Sequence, residues 1–248
     1  MIDQTVGVLG GMGPAATVDF LDRLVQVTPA ERDQEHVPVL VYGDPRVPDR
    51  TLAIQGEGPS PLPQLIQGAT FLERAGVGCI AMPCNTAHAW YDDLQATVAV
   101  PILHIVDAAA ARLVGHVAEG AKVGVLSTAG TQEADLYPPR LQQRNLLGFG
   151  LDAGDLHEFV TPGIAAVKAG RLGEGRHLLQ AAAQRLVAGG AEAIVVACTD
   201  ISVVLREPGQ VQGRPLVDAN LSLAHATLEV VSKDGSVPAL TADGSADR

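Results

Sequence analysis

The chain has 248 residues, of which 47% are hydrophobic and 3% aromatic, and its formal net charge is −11 at pH 7. This length supports one large α/β domain or two small ones, and the acidic charge argues against nucleic acid or a membrane surface as a partner. Three cysteines are too few for a disulfide framework. With no signal peptide and no long apolar run, we expect a cytoplasmic protein.

Short apolar runs that predict buried strands alternate with helical patterns along the chain. Helices are predicted at 63–76 and 174–190, where apolar residues recur at helical spacing. This alternation predicts a parallel sheet with helices on both faces. The polar stretch 233–248 is predicted to be a mobile tail. The predicted strands span residues 5–11, 37–43, 78–83, 100–106, 121–128, 146–153, 192–198 and 214–219.

The sequence also contains an internal repeat. A shift of 114 residues, which places Cys84 over Cys198, aligns "LERAGVGCIAMPCNT" (72–86) with "LVAGGAEAIVVACTD" (186–200). Matches at equivalent places of a helix–loop–strand unit favour two related halves. Each cysteine would then end a parallel strand, where open α/β sheets bind ligands. If the halves face each other around a pseudo-twofold axis, both cysteines point into one cleft.

Two of the three cysteines stand in a polar context. Asn-Thr follows Cys84 and Thr-Asp follows Cys198, so hydroxyl, amide and backbone N–H donors are available for a carboxylate at each strand end. Cys79 lies inside an apolar strand and is predicted to be a core thiol. Two thiols on opposite sides of one cleft suit inversion of a carbon stereocentre, because one removes the α-proton while the other protonates the opposite face.

Other uses of these residues remain open at this point. Cys84, Cys198 and His88 could bind zinc, although no close-spaced ligand pair is present. His88 could instead serve a cysteine hydrolase as the base for Cys84. The segment "GMGPAA" (11–16) fits a dinucleotide fingerprint, but no acidic residue lies where a ribose would need it.

Two cations are candidates for carboxylate binding. Arg50, in the proline-braced loop 44–51, can hold a carboxylate through two hydrogen bonds. Lys168 follows a helical pattern. Either side chain could equally be a solvated surface group.

Beyond single residues, the chain resembles the cofactor-independent aspartate/glutamate racemases, and within them the aspartate racemase branch. The motifs occur in family order and cover nearly the whole chain except the tail, which makes their combination specific. They are "GVLGGMGPAAT" (7–17), "RDQEH" (32–36), "VPDRT" (47–51), "MPCNTAHAW" (82–90), "VKAG" (167–170) and "ACTDIS" (197–202).

The resemblance implies an α/β fold of two pseudo-symmetric flavodoxin-like halves, each a parallel sheet flanked by helices, with the active site between them. On this basis the first half comprises 1–103 and 214–232 and carries Cys84, and the second comprises 104–213 and carries Cys198. The resemblance further implies a homodimer that acts on a small amino acid without PLP, metal or any other cofactor.

It also implies roles for particular residues. Cys84 and Cys198 would be the catalytic thiol pair. Asp200, two residues after Cys198, would tune that thiol, since a nearby carboxylate disfavours the thiolate. The loop 127–131 would face the site. The implied substrate-binding residues are Met12, Arg50, Asn85, Thr86, Thr128, Thr131, Lys168 and Thr199.

Two residues depart from the branch pattern. Asp200 stands where glutamate is expected, and Asp44 where asparagine is expected. A carboxylate from Asp44 near the far end of the substrate would disfavour a second substrate carboxylate. Asp44 would thus allow a neutral or basic amino acid as the substrate. From the resemblance as a whole we predict a racemase of an acidic amino acid, foremost aspartate. The alternatives are a decarboxylase or isomerase of a small dicarboxylate on the same scaffold, and a non-catalytic ligand-binding protein.

Overall fold

A computed structural model describes residues 4–207 and 209–232. The strands within these residues form two sheets. The first contains β1 (Val6–Gly10), β2 (Val39–Gly43), β3 (Cys79–Ala81) and β4 (Ile102–Leu103). The second contains β5 (Lys122–Ser127), β6 (Leu147–Phe149), β7 (Ala193–Ala197), β8 (Gln210–Val211) and β9 (Arg214–Asp218).

Helices connect the strands and cover both faces of each sheet. They are α1 (Pro14–Val27), α2 (Arg50–Ile54), α3 (Leu62–Arg74), α4 (Tyr91–Gln95), α5 (Ile105–Leu113), α6 (Ala129–Glu133), α7 (Pro138–Gln142), α8 (Ala153–Asp155), α9 (Thr161–Lys168), α10 (Leu172–Ala188), α11 (Thr199–Ser202) and α12 (Ala219–Val231). Short 3-10 helices span Asp33–Glu35 and Thr86–Trp90, and one π-helical turn spans Leu156–Val160. No helix in the described part of the chain is long and apolar enough to cross a membrane.

The strand order confirms both the α/β class and the internal repeat. The first sheet has the order β2-β1-β3-β4, and the second has the order β6-β5-β7-β9-β8. Equivalent strands therefore occupy equivalent positions, and all pair in parallel except β8, which is antiparallel to β9. Cys84 and Cys198 follow β3 and β7, the strands third in each order, at the carboxyl ends where such sheets bind ligands.

One apolar core joins the two sheets. Val6 and Val8 of the first sheet and Val123 and Val125 of the second belong to one buried cluster. This cluster also contains the buried faces of α1, α5 and α12, which separate the sheets. Two further clusters cover the outer faces. Because the central core is shared, each half contributes to the burial of the other.

Several predicted boundaries are corrected. Residues 214–232 were expected in the first half, but β9 pairs with β7 in the second sheet. Its equivalence to β4 through the repeat explains this position, whereas α12 does pack on α1, β3 and β4 of the first half. The strands predicted at 100–106 and 146–153 end early because helices begin at Ile105 and Ala153. The tail 233–248 lies outside the described residues.

A buried ion-pair network fastens α1 to the second half. Arg23 is 2% exposed and contacts Asp19 and Asp218 at 2.6 Å each. It also donates to the carbonyl of Ser202, the last residue of the second cysteine motif, at 3.3 Å. Asn220 donates to Asp19 at 2.8 Å. The charges of this network are compensated inside the protein, which a buried carboxylate requires.

We predict that Arg23→Ala lowers the free energy of unfolding by about 3–5 kcal/mol, because it leaves the buried Asp218 carboxylate without its cation. Arg32→Ala is the matched control. Its ion pair with Glu35 lies at the surface, so its loss should cost at most about 1 kcal/mol. Urea unfolding followed by circular dichroism measures both values. Equal stability of the two variants would contradict a large contribution of the buried network to the free energy of unfolding.

Candidate active site

A cavity lies between the two halves at the carboxyl ends of β1, β3, β5 and β7. Both candidate catalytic cysteines line it, each nearly buried. The fold thus brings together residues that lie more than a hundred positions apart in the chain. The lining comprises Met12, Asp49, Arg50, Thr51, Cys84, Asn85, Thr86, Thr128, Ile164, Lys168, Cys198, Thr199 and Asp200.

His88 supports the Cys84 loop from behind. Its Nδ1 lies 2.8 Å from the carbonyl oxygen of Cys84, and its Nε2 accepts the backbone N–H of Ile105 at 3.2 Å. Burial lowers the pKa of His88 to about 4, so the ring is neutral and Nδ1 carries the proton that it donates to that carbonyl. Because both ring nitrogens are bonded to the backbone, the geometry disfavours the hydrolase reading in which His88 activates the thiol.

Cys198 directly precedes α11 in the second half, and its pKa differs from that of a free thiol. Burial and the adjacent Asp200 carboxylate raise the pKa of Cys198 to about 12. The backbone N–H groups of Ile201 and Asp200 and the ammonium group of Lys168 oppose this rise. The Cys198 thiol is therefore protonated at neutral pH, which suits a proton donor.

Asp200 and Lys168 face each other beside this thiol. The Lys168 Nζ lies 3.6 Å from Asp200 Oδ2, and α9 ends at this lysine. Burial raises the pKa of Asp200, while Lys168 and Arg50 oppose that rise. The Asp200 carboxylate therefore acts electrostatically on both the Cys198 thiol and the Lys168 ammonium group.

Hydroxyl groups join the two halves across the cavity. Thr86 Oγ1 of the first half lies 3.0 Å from Thr128 Oγ1 and 2.8 Å from Thr131 Oγ1 of the second. Thr199 Oγ1 donates to the carbonyl of Pro83 at 3.1 Å, which connects one cysteine loop directly to the other. These contacts place polar donors between the two thiols.

The glycine-rich turn after β1 serves close packing of the backbone. Gly11 has φ +95°, and a Cβ there would lie 2.5 Å from the backbone of Asp44. Its N–H donates to Thr17 Oγ1 at 2.9 Å. This N–H therefore has an internal partner and is not free to bind a nucleotide phosphate.

Arg50 lies at the cavity wall, whereas Asp44 is paired with another arginine outside it. The Arg50 guanidinium donates to the carbonyls of Pro48 at 3.0 Å and Met12 at 3.4 Å, which holds it at the cavity wall. Asp44 does not line the cavity; its carboxylate binds the Arg46 guanidinium through two contacts of 2.9 Å. This pairing lowers the pKa of Asp44. The expected repulsion of a second substrate carboxylate by Asp44 is therefore not supported.

The structure places all but one of the sequence-predicted site residues in the cavity lining. Thr131 is the exception, but it contacts Thr86 and Thr128, which line the cavity. Asp49 and Thr51 were missed although they flank Arg50 in the "VPDRT" motif, and Ile164 carried no signal. Among the described residues, no three His, Cys, Asp or Glu side chains form a group that could hold a metal ion.

Both thiols thus line one polar cavity at the carboxyl ends of strands from the two sheets. The chain matches the model of the Asp/Glu/hydantoin racemase family over residues 9–227. It belongs to this family and is a racemase-type isomerase.

Individual relatives agree with this assignment. The chain is 30% identical over 233 residues to the broad specificity amino-acid racemase RacX of Bacillus subtilis, covering 90% of this chain and 96% of the relative. The Picrophilus torridus aspartate racemase structure superposes with a TM-score of 0.81 at 29% identity, covering 95% and 99% of the two chains. Francisella tularensis glutamate racemase shares the fold, with a TM-score of 0.69 at 16% identity over 98% and 86%.

We predict that Asp200→Asn accelerates alkylation of Cys198 by iodoacetamide at pH 9 about three- to tenfold, because removal of the carboxylate lowers the thiol pKa. Lys168→Gln is the opposed control and should slow the same reaction, since its ammonium group favours the thiolate. Mass spectrometry of the Cys198 peptide measures both rates. Changes of the same sign in both variants would contradict the electrostatic account.

Proposed function

We propose that this protein is a cofactor-independent amino-acid racemase that uses Cys84 and Cys198 as a two-base pair, with aspartate as its principal substrate. The observation that carries the proposal is the position of the two thiols, which line one cavity from opposite halves. Support also comes from the likeness to an aspartate racemase along nearly the whole chain. A cytoplasmic homodimer stays a prediction from the sequence.

The cavity offers donors for the substrate α-carboxylate. Asn85 and Thr86 follow Cys84, Thr199 follows Cys198, and all three line the cavity. Because the Thr199 hydroxyl already donates to the Pro83 carbonyl, the donors proposed for the substrate are the Asn85 amide and the backbone N–H groups of these loops. Hydrogen bonds to this carboxylate stabilise the negative charge that spreads onto it when the α-proton leaves. The protein donors thus supply the stabilisation that an electron-withdrawing cofactor provides in other racemases.

Proton transfer then follows from the position and charge of the thiols. In one direction the Cys84 thiolate removes the α-proton and becomes a thiol, and the planar carbanion takes a proton from Cys198 on the opposite face. Cys198 is left as the thiolate, so the next turnover in the reverse direction begins from that state. Bonds to hydrogen are exchanged without net oxidation or reduction.

Charge in the cavity wall favours an acidic substrate. Arg50 and Lys168 supply two cations, while Asp200 compensates one of them in part. A dicarboxylate can therefore bind one carboxylate near the cysteine loops and the other near a cation. The likeness to a broad specificity racemase favours a second candidate, in which the same thiols also accept neutral or basic amino acids.

The substrate experiment is proton NMR of L-amino acids in deuterated water, using enzyme dialysed against a chelator and without added PLP. We expect loss of the aspartate Cα–H signal together with D-aspartate on a chiral column. Turnover of neutral or basic residues at comparable rates would support broad specificity. No exchange with any amino acid, or exchange only after addition of PLP or a metal ion, would contradict the proposed function.

We predict that Cys84→Ser and Cys198→Ser each reduce racemisation by at least about 10³-fold, because a hydroxyl is a far weaker base than a thiolate and the second proton transfer is lost. Cys79→Ala is the matched control. Cys79 is buried within β3 and does not line the cavity, so this variant should retain activity. Chiral chromatography measures all three, and full activity of either serine variant would exclude the two-base mechanism.

A further inference from the structure

A residue outside the cavity lining determines the orientation of Asn85. The Tyr137 hydroxyl donates to Asn85 Oδ1 at 2.6 Å. Both side chains are buried, at 1% and 2% exposure. Asn85 is one of the residues that line the cavity, and its Nδ2 is buried with no hydrogen-bond partner among the described residues. The amide thus has a partnered acceptor and an unpartnered donor.

The hydrogen bond favours one of the two amide orientations. A flipped Asn85 would present Nδ2 to the Tyr137 oxygen, and the phenolic proton would lose its acceptor. Asn85 Oδ1 would also lose its donor, and buried polar groups without partners are unfavourable. Burial raises the pKa of Tyr137 well above its usual value, so the phenol keeps this proton throughout the working pH range.

We propose that Tyr137 is a positioning residue that holds the Asn85 amide so that Nδ2 donates to the α-carboxylate of the substrate. The inference rests on the proposed function, because it assumes that a carboxylate occupies this part of the cavity. Without the phenolic hydroxyl, the amide loses the contact that distinguishes its two ends. The flipped amide turns a carbonyl oxygen toward the carboxylate, which repels it.

The arrangement also couples this donor to the contact between the halves. Tyr137 precedes α7 in the second half, whereas Asn85 follows β3 in the first. The Asn85 donor is therefore oriented only while the two halves are in contact.

Tyr137→Phe tests the positioning role in the whole enzyme. We expect kcat/KM for racemisation to fall about tenfold, as loss of one orienting hydrogen bond implies. Tyr91→Phe is the matched control, since the Tyr91 hydroxyl donates to the backbone carbonyl of Ile102 at 3.1 Å and lies outside the cavity lining. It should stay within about twofold of wild type. Thermal unfolding of both variants identifies any loss caused by misfolding.

A double-mutant cycle separates positioning from general support of the fold. In an Asn85→Ala background there is no amide to orient, so Tyr137→Phe should change kcat/KM by less than about twofold. If Tyr137→Phe has the same effect in both backgrounds, the proposal is overturned. The cycle also identifies a general loss of stability in Tyr137→Phe, because such a defect would lower kcat/KM in the Asn85→Ala background as well.

Ligand binding gives a readout that does not depend on turnover. L-aspartate and its α-amide, L-isoasparagine, are titrated into wild type and Tyr137→Phe by calorimetry. Wild type should prefer the carboxylate, and the preference should fall about tenfold in the variant, because a flipped Asn85 accepts from the amide NH₂. No preference in wild type, or an unchanged preference in the variant, overturns the proposal. If wild type prefers the carboxylate and the variant loses this preference, but no racemisation is observed, the proposed function is contradicted while the positioning role of Tyr137 is supported.

Discussion

The contact between the two cysteine loops is the constraint on which the site depends. Each thiol is useful for two-sided proton transfer only if it stays on its own side of the substrate. The hydrogen bond from Thr199 to the Pro83 carbonyl joins the loops directly, and the Thr86 hydroxyl binds Thr128 and Thr131, which joins the Cys84 loop to the loop after β5 in the second half. Because these bonds are buried, water competes with them poorly, and the relative position of the loops is well defined.

The two halves have nearly the same fold, but the charged groups around the two thiols differ. The strand orders of the sheets match, and Cys84 and Cys198 occupy equivalent strand ends. Their surroundings differ, since Asp200 and Lys168 lie beside Cys198 while the backbone of Cys84 is bonded to a neutral His88. An enzyme that works in both directions needs the two sides to have similar transition-state energies, not identical residues. The Lys168–Asp200 pair can meet this requirement because its charges act on Cys198 in opposite directions.

The sheet class and the repeat could be predicted from the order of apolar runs and from a fixed sequence offset, whereas most of the cavity lining was predicted from the resemblance to the racemase family. Apolar runs mark strands, and the cysteine motifs mark strand ends. The predictions were wrong or incomplete where contacts between distant parts of the chain determine the structure. β9 was assigned to the wrong half because its chain position, after the second cysteine motif, does not reveal its pairing partner. Tyr137 carried no signal, since its hydroxyl meets Asn85 only in the folded chain.

The site also retains donors that the fold does not satisfy. Asn85 Nδ2 and Arg50 Nε are buried without hydrogen-bond partners, and both residues line the cavity. Such groups each cost about 1–3 kcal/mol of folding stability, so the compact core and the Arg23 network must offset this cost. The two carboxylates of the proposed substrate would satisfy them, one at the Asn85 amide and the other at the Arg50 guanidinium. The stability given up in the free enzyme thereby contributes to recognition of an acidic amino acid.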